Sequence, residues 1–500
     1  MSAASGPAPS RPITALLTAD DDAKATAERL AHSGLVGSLL LLVPPGGARG
    51  LGSLGSLPCT EIETAEPGSG AVLADLLDRV SAPLLLRIEG DMDPHTTALR
   101  RMCDVIGATG AAMVYGDFLD QQPDGSTTAH PLSDHQEGSL QDTFPFGPLR
   151  LWSIEVARRA LARHGGVEQR RWMAWYDLRL KASIEAPVVR LPEPLGVLRP
   201  RDRRRSGEQV FDYLTATRQR QIEAETVVTE HLERLGARAT GPFEAFEAAG
   251  SFPVEASVVI PVRNRARTIL DAVSSALEQQ LDAPFNVIVV DNHSTDGTTE
   301  ALAERAARDP RLVHVVPERT DLGIGGCWNV AAHHELAGRY VVQLDSDDIY
   351  SGPGSLAAMV EALRSGCGMA VGSYTLVNMA LEEIPPGLID HREWTDDNGP
   401  NNALRIGGFG APRAFPTALL RRHPLPNASY GEDYGIALRI SRTYRVGRVY
   451  ESLYLCRRWE DNSDADLPPA TKARYQTYKD RLRTLEILAR RHAGQAGGSE

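Results

Sequence analysis

The stretch Tyr340-Val341-Val342-Gln343-Leu344-Asp345-Ser346-Asp347 joins an apolar run to two acidic residues. A short apolar run with β-branched residues predicts a buried strand, and both aspartates then follow its carboxyl end. Ligands of open α/β sheets bind at that edge. Two carboxylates there can hold a hard divalent cation that keeps positions open for phosphate oxygens. A solvated acidic turn is the alternative interpretation, because Asp348 extends the acidic run.

Strands and helices alternate in the sequence before this stretch. Apolar runs at 257–260, 286–290 and 312–315 predict strands, and the segments 268–280 and 298–308 between them predict helices. A β-α-β-α-β order predicts an α/β domain with a mostly parallel sheet and helices on both faces.

The two halves of the chain resemble each other faintly. Five segments of the first half, 14–20, 39–43, 86–91, 113–118 and 188–195, match 257–263, 287–291, 342–347, 369–374 and 446–453 in the same order. Each half then ends in a predicted helix, at 209–235 and 471–492. A repeat of this length predicts two tandem domains of the same fold. We place them at residues 1–240 and 251–500, because Gly and Pro break the chain between them.

Composition excludes several classes of function. The net charge of −12 gives no footprint for nucleic acid. The five cysteines are widely spaced without a C-x-x-C, which favours reduced thiols over disulfides or a zinc site. The amino terminus lacks an apolar signal core, and the apolar run 39–43 is too short to span a bilayer. These features favour a cytoplasmic protein, and a peripheral position at a membrane stays open.

Further candidate residues lie at predicted turns. Asp291 follows a strand and could accept hydrogen bonds from a base or a ribose. The Gly-rich segment 321–329 lacks the dinucleotide and P-loop patterns, so we predict a turn that allows close backbone packing, with Asp321 and Asn329 able to line a pocket. Residues 383–402 show no clear periodicity and predict a long loop, either a lid or a surface insertion.

Two clusters in the last hundred residues could carry chemistry. Glu432 and Asp433 open a predicted helix, where they either compensate the helix dipole or act as a general base, with Asp433 as the base and Glu432 orienting it. Arg457, Arg458 and Trp459 follow a predicted strand. Arginines can neutralise a departing diphosphate and Trp can stack on a sugar, although an amphipathic sheet edge would look the same.

Residues 256–463 resemble the family 2 glycosyltransferases of the GT-A fold. The matching pieces are 258–264, 289–297, 344–348, 431–434, and 457–459 with Ser463. The resemblance implies an α/β chain of two tandem GT-A-like (nucleotide-diphospho-sugar transferase) domains. It also implies a nucleotide-sugar donor, Mg²⁺ or Mn²⁺ as cofactor, and inversion at the anomeric carbon.

Carried over by position, the resemblance implies roles for single residues. Asp291 would bind the nucleoside, Asp345 would contact ribose or metal, and Asp347 would ligate the metal. Asp433 would be the base, assisted by Glu432. The full set of implied donor-binding residues is Pro261, Arg263, Asp291, Asn329, Asp345, Asp347, Arg458 and Trp459. Many relatives place a histidine near Trp459, and this chain has Arg457 and Arg458 there, so no third metal ligand is predicted.

The resemblance also bounds the partners. It favours a UDP-sugar, with GDP- and dTDP-sugars open, and the acceptor could be a glycan, a lipid-linked saccharide, a protein or a small metabolite. A homo-oligomer is also open. A nucleotidyltransferase is disfavoured, because Pro261-Val262-Arg263 follows the first strand where those enzymes have a Gly-rich loop. A non-catalytic sugar- or partner-binding relic is the other alternative.

The first half lacks most of the acidic residues that mark the second. Val43 stands where Asp291 would be, Glu89 and Asp91 keep an acidic pair, and Ala174-Trp175 replaces Glu432-Asp433. We therefore predict that residues 1–240 are a degenerate, non-catalytic copy that serves stability, dimer contacts or acceptor binding.

Overall fold

The computed structural model describes residues 11–19, 23–46, 53–54, 56–200, 218–392, 394–459 and 467–497. Ser463 and the first part of the helix predicted at 209–235 lie outside the described residues. In the part of the chain that is described, no helix is both long enough and apolar enough to cross a membrane.

The chain divides into two compact units, residues 1–235 with 467–484 and residues 236–466 with 485–500. The predicted second domain contained the whole carboxyl-terminal helix, whereas this division assigns the helix up to Thr484 to the first unit. The contacts explain the assignment, because Ser139 Oγ donates to Asp480 Oδ2 at 2.8 Å and the Gly138 N–H donates to Thr484 Oγ1 at 3.0 Å.

The first unit contains an eight-stranded and a four-stranded sheet. Its elements in chain order are β1 (Ile13–Thr18), α1 (Ala23–His32), β2 (Val36–Val43), β3 (Ser53–Leu54), β4 (Leu57–Glu63), α2 (Gly70–Arg79), β5 (Leu84–Ile88), β6 (Met92–Pro94), α3 (Ala98–Thr109), β7 (Met113–Gly116), β8 (Phe118–Gln121), β9 (Thr127–His130), β10 (Leu149–Ser153), α4 (Ile154–His164), α5 (Ala174–Glu185), β11 (Val188–Leu191), β12 (Gly196–Leu198) and α6 (Arg218–Arg234). The strand orders are β11-β7-β10-β5-β1-β2-β4-β3 and β6-β12-β8-β9.

The second unit is built around one nine-stranded sheet. Its elements, with the helix that the units share, are β13 (Ala256–Val262), α7 (Ile269–Leu277), β14 (Phe285–Asp291), α8 (Thr298–Ala306), β15 (Leu312–Val315), α9 (Ile324–His333), β16 (Tyr340–Gln343), β17 (Ile349–Tyr350), α10 (Ser355–Arg364), β18 (Met369–Val377), β19 (Glu383–Ile389), α11 (Gly399–Asn402), β20 (Arg413–Pro416), α12 (Thr417–Arg422), α13 (Glu432–Ser441), β21 (Val446–Arg457) and α14 (Pro469–Gly497). The strand order is β15-β14-β13-β16-β20-β18-β21-β17, with β19 paired to β18.

The predicted fold class, α/β with mostly parallel sheets, is confirmed. β15, β14, β13 and β16 are parallel neighbours, and every residue of β14 is buried. A strand that is buried on both faces reads as a continuous apolar run, which is why periodicity alone located these strands. The predicted strands at 257–260, 286–290 and 312–315 lie within or match β13, β14 and β15.

Seven strands of each main sheet share one order. Numbered by their position along the chain, β4-β2-β1-β5-β10-β7-β11 and β15-β14-β13-β16-β20-β18-β21 both read 3-2-1-4-6-5-7. In both sheets the sixth strand, β10 or β20, runs antiparallel to its two neighbours. This common order supports the hypothesis of two related units, which stays a prediction.

The prediction of a structureless loop at 383–402 is wrong for part of that segment. Residues 383–389 form β19, which pairs antiparallel with β18 through Tyr374↔Ile389 and Thr375↔Leu388, and 399–402 form α11. The hydrogen bonds of β19 come from a strand earlier in the chain, so local periodicity could not reveal them. Pro385 and Pro386 are tolerated because β19 pairs on one side only.

Candidate active site

The carboxyl edge of the parallel strands gathers most of the predicted residues. In the register of β13 and β14, Pro261 is paired with Val290 and Val262 with Asp291. On the other side of β13, β16 ends at Gln343, and Asp345 and Asp347 follow it. Pro261, Asp291 and the two aspartates therefore come from three neighbouring strands, while Arg263 lies exposed just beyond β13.

Asp345 is held by side chains of its own strand and of β21. Its two carboxylate oxygens accept hydrogen bonds from Gln343 Nε2 at 3.0 and 3.1 Å, and its backbone N–H donates to the Tyr454 hydroxyl at 3.1 Å. Burial, together with the negative charge of Asp347, raises the pKa of Asp345 despite the Gln343 hydrogen bond and the positive charge of Arg413. A bound cation would stabilise the ionised form of this carboxylate.

Asp347 faces a group of cations and an indole. Its Oδ2 lies 3.5 Å from Trp459 Nε1 and 3.8 Å from Arg265 Nε. The guanidinium groups of Arg265 and Arg267 lie 6.0 and 5.1 Å from the centre of the Trp459 ring. The structure thus places Trp459 beside Asp347 and adds two arginines that could neutralise a diphosphate.

Arg457 and Arg458 hold the end of β21. The Arg457 N–H donates to Asp348 Oδ1 at 2.7 Å, its Nη1 lies 2.8 Å from Asp271 Oδ2, and its Nε donates to the Asp347 carbonyl. Burial and the charges of Asp345 and Asp347 raise the pKa of Asp348 well above its ordinary value. The Arg458 N–H donates to Val377 O at 2.7 Å.

Asp291 is fully buried and already holds its own loop. Oδ1 accepts from the Ser294 N–H at 3.0 Å, and Oδ2 accepts from Thr299 Oγ1 at 2.5 Å and lies 3.4 Å from His314 Nε2. Burial favours the neutral acid, but these hydrogen bonds outweigh it and lower the pKa of Asp291. A nucleoside that binds here would share a carboxylate that the protein keeps ionised and fixed.

The Gly-rich segment 321–329 serves close packing, as predicted, but from Ile324 onward it is the start of α9 and not a turn. A Cβ added at Gly325 would lie 1.9 Å from Pro426 O, and one at Gly323 would lie 2.5 Å from the Ala428 carbonyl carbon. Asn329 uses both ends of its amide on Leu425, donating to its carbonyl at 2.8 Å and accepting from its N–H at 2.9 Å. These hydrogen bonds use the Asn329 amide to hold the segment around Leu425, so Asn329 is not part of the proposed donor site.

Glu432 and Asp433 begin α13 beside a partly buried arginine. Asp433 Oδ2 lies 3.0 Å from Arg413 Nη1, and Asp433 Oδ1 accepts from the Tyr434 N–H at 2.7 Å. Glu432 is 8% exposed, and among the described residues its Oε2 has no hydrogen-bond partner. Burial disfavours the charged form of Arg413, but the negative charges of Asp433, Asp345 and Glu432 outweigh it and raise the pKa of Arg413. Two acidic clusters that are far apart in sequence therefore meet around one cation.

Comparison with known proteins connects this geometry to a family. The model of Glycosyl transferase family 2 matches residues 257–426 and so ends before Glu432. The chain is 32% identical over 227 residues to glycosyltransferase AglJ of Haloferax volcanii, which covers 43% of this chain and 68% of AglJ. The chain belongs to glycosyl transferase family 2. The family membership predicted from sequence is confirmed.

Two further relatives carry more specific names. Polyprenol monophosphomannose synthase of Mycolicibacterium smegmatis is 28% identical over 142 residues, 27% of this chain and 48% of the relative. UDP-Glc:alpha-D-GlcNAc-diphosphoundecaprenol beta-1,3-glucosyltransferase WfgD of Escherichia coli is 29% identical over 122 residues, 24% of this chain and 46% of WfgD. The chain thus spans about half the length of each of these two relatives.

The acidic pair of this family 2 chain fits a divalent cation that a ligand completes. Among the described residues, no group of three or more His, Cys, Asp and Glu side chains could hold a metal ion. Mg²⁺ is usually bound through one or two carboxylates together with substrate phosphates. Asp345 and Asp347 supply that number of carboxylates, beside arginines suited to a diphosphate.

Sequence reasoning missed Gln343, Arg413, Arg265 and Arg267. Arg413 had a usable signal, because Phe409-Gly410-Ala411-Pro412-Arg413 matches Phe146-Gly147-Pro148-Leu149-Arg150 at an offset close to those of the other repeated segments. Its partner Asp433 lies in another element, so only the folded chain shows what it binds.

Glu432 should make the stability of this protein depend on pH. Burial first, and then the charge of Asp433, raises the pKa of Glu432 from 4.5 to about 8. The folded protein holds this proton more tightly than the unfolded chain, so the free energy of unfolding falls as pH rises from about 4.5 to about 8 and is level above that for this group. We expect Glu432→Gln to reduce the fall in Tm between these pH values.

Thermal unfolding of wild type and Glu432→Gln across that pH range measures the effect. Glu278→Gln is a suitable control, because Glu278 lies exposed at the end of α7. Parallel Tm–pH curves for wild type and Glu432→Gln would contradict the assignment.

Proposed function

We propose that the second unit transfers a sugar from a nucleotide-diphosphate donor to an acceptor hydroxyl, with inversion at the anomeric carbon. The observation that carries this proposal is the link from Asp345 through Gln343 and the partly buried Arg413 to Asp433, at the carboxyl edge of the sheet. One cluster is suited to hold the donor diphosphate and the other to receive a proton. Family membership supports the reaction class.

The chain's own residues would divide the reaction between them. Asp291 would bind the nucleoside, and Trp459 with Arg265 and Arg267, which lie beside its ring, would contact the diphosphate and sugar. The acceptor hydroxyl forms its bond to the anomeric carbon on the face opposite the leaving nucleoside diphosphate, and Asp433 takes its proton as that bond forms. A divalent cation held by Asp345 and Asp347, when bound, stabilises the charge that develops on the leaving group.

Nucleoside diphosphate release tests this proposal. We expect wild-type protein with Mn²⁺ to release nucleoside diphosphate slowly from one member of a panel of UDP-, GDP- and dTDP-sugars, and faster once an acceptor is added. The UDP-sugars come first because the name of WfgD includes UDP-Glc. Among acceptors, polyprenol-linked ones come first, because the names of polyprenol monophosphomannose synthase and WfgD both include a polyprenol.

Two outcomes would contradict the transferase proposal. Absence of both donor binding and release across the panel would favour the alternative of a non-catalytic binding protein. Release of pyrophosphate from a nucleoside triphosphate and a sugar phosphate would favour a nucleotidyltransferase.

We propose further that the first unit does not transfer sugar. Its acidic pair is neutralised internally, because Asp91 lies 2.6 Å from Arg29 and Glu89 lies 2.7 Å from Arg150 and 2.8 Å from Arg87. Carboxylates that are already paired with arginines are poor ligands for an added cation.

The position of the base in the first unit also lacks a usable carboxylate. Ala174 and Trp175 begin α5, where Glu432 and Asp433 begin α13. Asp177, one turn further on, is fully buried and lies 2.8 Å from Arg170 and 3.1 Å from Lys181. Asp433 is also paired with an arginine but is 30% exposed, whereas the fully buried Asp177 lies out of reach of an acceptor.

A further inference from the structure

A continuous series of contacts joins Asp345, which we propose binds the donor, to Asp433, which we propose is the base. Gln343 Nε2 donates to both oxygens of Asp345, and Gln343 Oε1 accepts from the Arg413 N–H at 3.2 Å. The Arg413 Nη1 then lies 3.0 Å from Asp433 Oδ2. Two residues on adjacent antiparallel strands, β16 and β20, thus connect the carboxylate proposed to hold the donor with the carboxylate proposed as the base.

Burial and geometry fix the members of this line. Gln343 is 3% exposed, and the Arg413 side chain is 15% exposed. Only one orientation of the Gln343 amide satisfies both neighbours, because a backbone N–H needs an acceptor and a carboxylate needs a donor. Arg413 Nη1 also donates to Gly410 O at 2.5 Å, which anchors the guanidinium to its own loop. Neither side chain can turn away without leaving a buried polar group unpaired.

The first unit provides an internal comparison. Arg150 is paired with Arg87 on β5, as the β16–β20 register places Arg413 opposite Gln343. Arg150 donates from Nε and Nη2 to Gly147 O at 3.3 and 3.2 Å, as Arg413 donates to Gly410 O. This arginine and its glycine are therefore present in both units.

The units differ in the connection between the acidic strand end and the carboxylate at the start of the helix. Arg87 takes the place of Gln343, and its guanidinium lies 4.7 Å from the centre of the Trp175 ring, the residue that replaces Asp433. Arg150 instead lies 2.7 Å from Glu89. The line from an acidic strand end to a helix-borne carboxylate exists in the second unit, where we propose catalysis, and not among the described residues of the first.

We propose that Gln343 and Arg413 are positioning residues that couple donor binding at Asp345 to the placement of the base Asp433. This inference rests on the proposed transferase function. The Asp345 carboxylate fixes the orientation of the Gln343 amide, and the amide fixes the position of the Arg413 backbone. The Arg413 guanidinium in turn holds the Asp433 carboxylate. The separation of the two carboxylates is then fixed before the acceptor arrives, and small misplacements of a reacting group cost rate.

Steady-state kinetics on the full chain tests the coupling. We expect Arg413→Met and Gln343→Met to lower kcat by roughly 10- to 100-fold, with KM for the donor changed by less than about threefold, because chemistry and not ground-state binding is lost. Arg413→Lys keeps the charge and should recover part of the loss. The double variant Gln343→Met/Arg413→Met should be little worse than Arg413→Met alone, since both changes break one line.

Arg150→Met is the matched control, because it removes the corresponding arginine from the first unit. It should leave kcat and KM at wild-type values, and the Tm of every variant shows whether folding is affected. Independent, multiplying losses in the double variant, or a loss by Arg150→Met equal to that of Arg413→Met, would overturn the inference. If the wild type is active and the variants keep its kcat and KM, only the coupling inference is overturned. If the wild type releases no nucleoside diphosphate, the proposed function is overturned as well.

Discussion

Asp433→Asn is expected to lower kcat by about 10²- to 10⁴-fold, the contribution typical of a general base. Asparagine has nearly the shape of aspartate but cannot take a proton from the acceptor hydroxyl. The Asp433 side chain is 30% exposed, so an acceptor can reach it, and Arg413 holds it at 3.0 Å. Donor binding should be kept, because Asp291, Asp345 and Asp347 are unchanged.

Two measurements separate the base from its neighbour. Single-turnover transfer from bound donor reports the chemical step, and equilibrium binding of the nucleoside diphosphate reports the donor site. Glu432→Gln, which begins the same helix, is the matched control and should keep most of the rate. If Glu432→Gln abolishes transfer while Asp433→Asn retains it, the base is Glu432 and our assignment is wrong.

Asp347→Asn is expected to lower kcat/KM by roughly 10³-fold and to remove the response to Mn²⁺. A metal that stabilises a departing diphosphate contributes several kcal/mol, and each 1.36 kcal/mol is about a tenfold change in rate. Asparagine keeps the size of the side chain but loses the charge that attracts the cation. The loss should appear in donor affinity as well as in kcat, because the cation contacts the bound diphosphate.

Titration of Mn²⁺ in the presence and absence of UDP, followed by its paramagnetic signal, checks this expectation. Asp91→Asn is the control, since Asp91 has the corresponding place in the first unit and is paired with Arg29 at 2.6 Å. It should leave Mn²⁺ binding and transfer unchanged. Undiminished Mn²⁺-dependent transfer by Asp347→Asn would remove Asp347 from the metal site, and loss of transfer in Asp91→Asn would contradict a non-catalytic first unit.

The sequence by itself determined the parallel strands and the residues at their ends. Strands buried on both faces leave unbroken apolar runs, so 257–260, 286–290 and 312–315 were recognisable, and Asp291, Asp345 and Asp347 follow from where such runs stop. The close packing of the Gly-rich segment was also readable, because glycine at 323 and 325 reports a lack of space for a side chain. These features depend on residues that are close together in the chain.

Only the tertiary structure decided which residues meet. Arg413 lies on an antiparallel strand inserted beside β16, and its contacts with Gln343 and Asp433 depend on the register of that strand and the start of α13. β19 was missed for the same reason, since its hydrogen bonds come from β18. Asn329 was predicted to line a pocket, but in the folded chain its amide forms hydrogen bonds with the backbone of Leu425. Hydrogen bonds and ion pairs between distant segments leave no periodic trace in the sequence, because they constrain two positions jointly and neither alone.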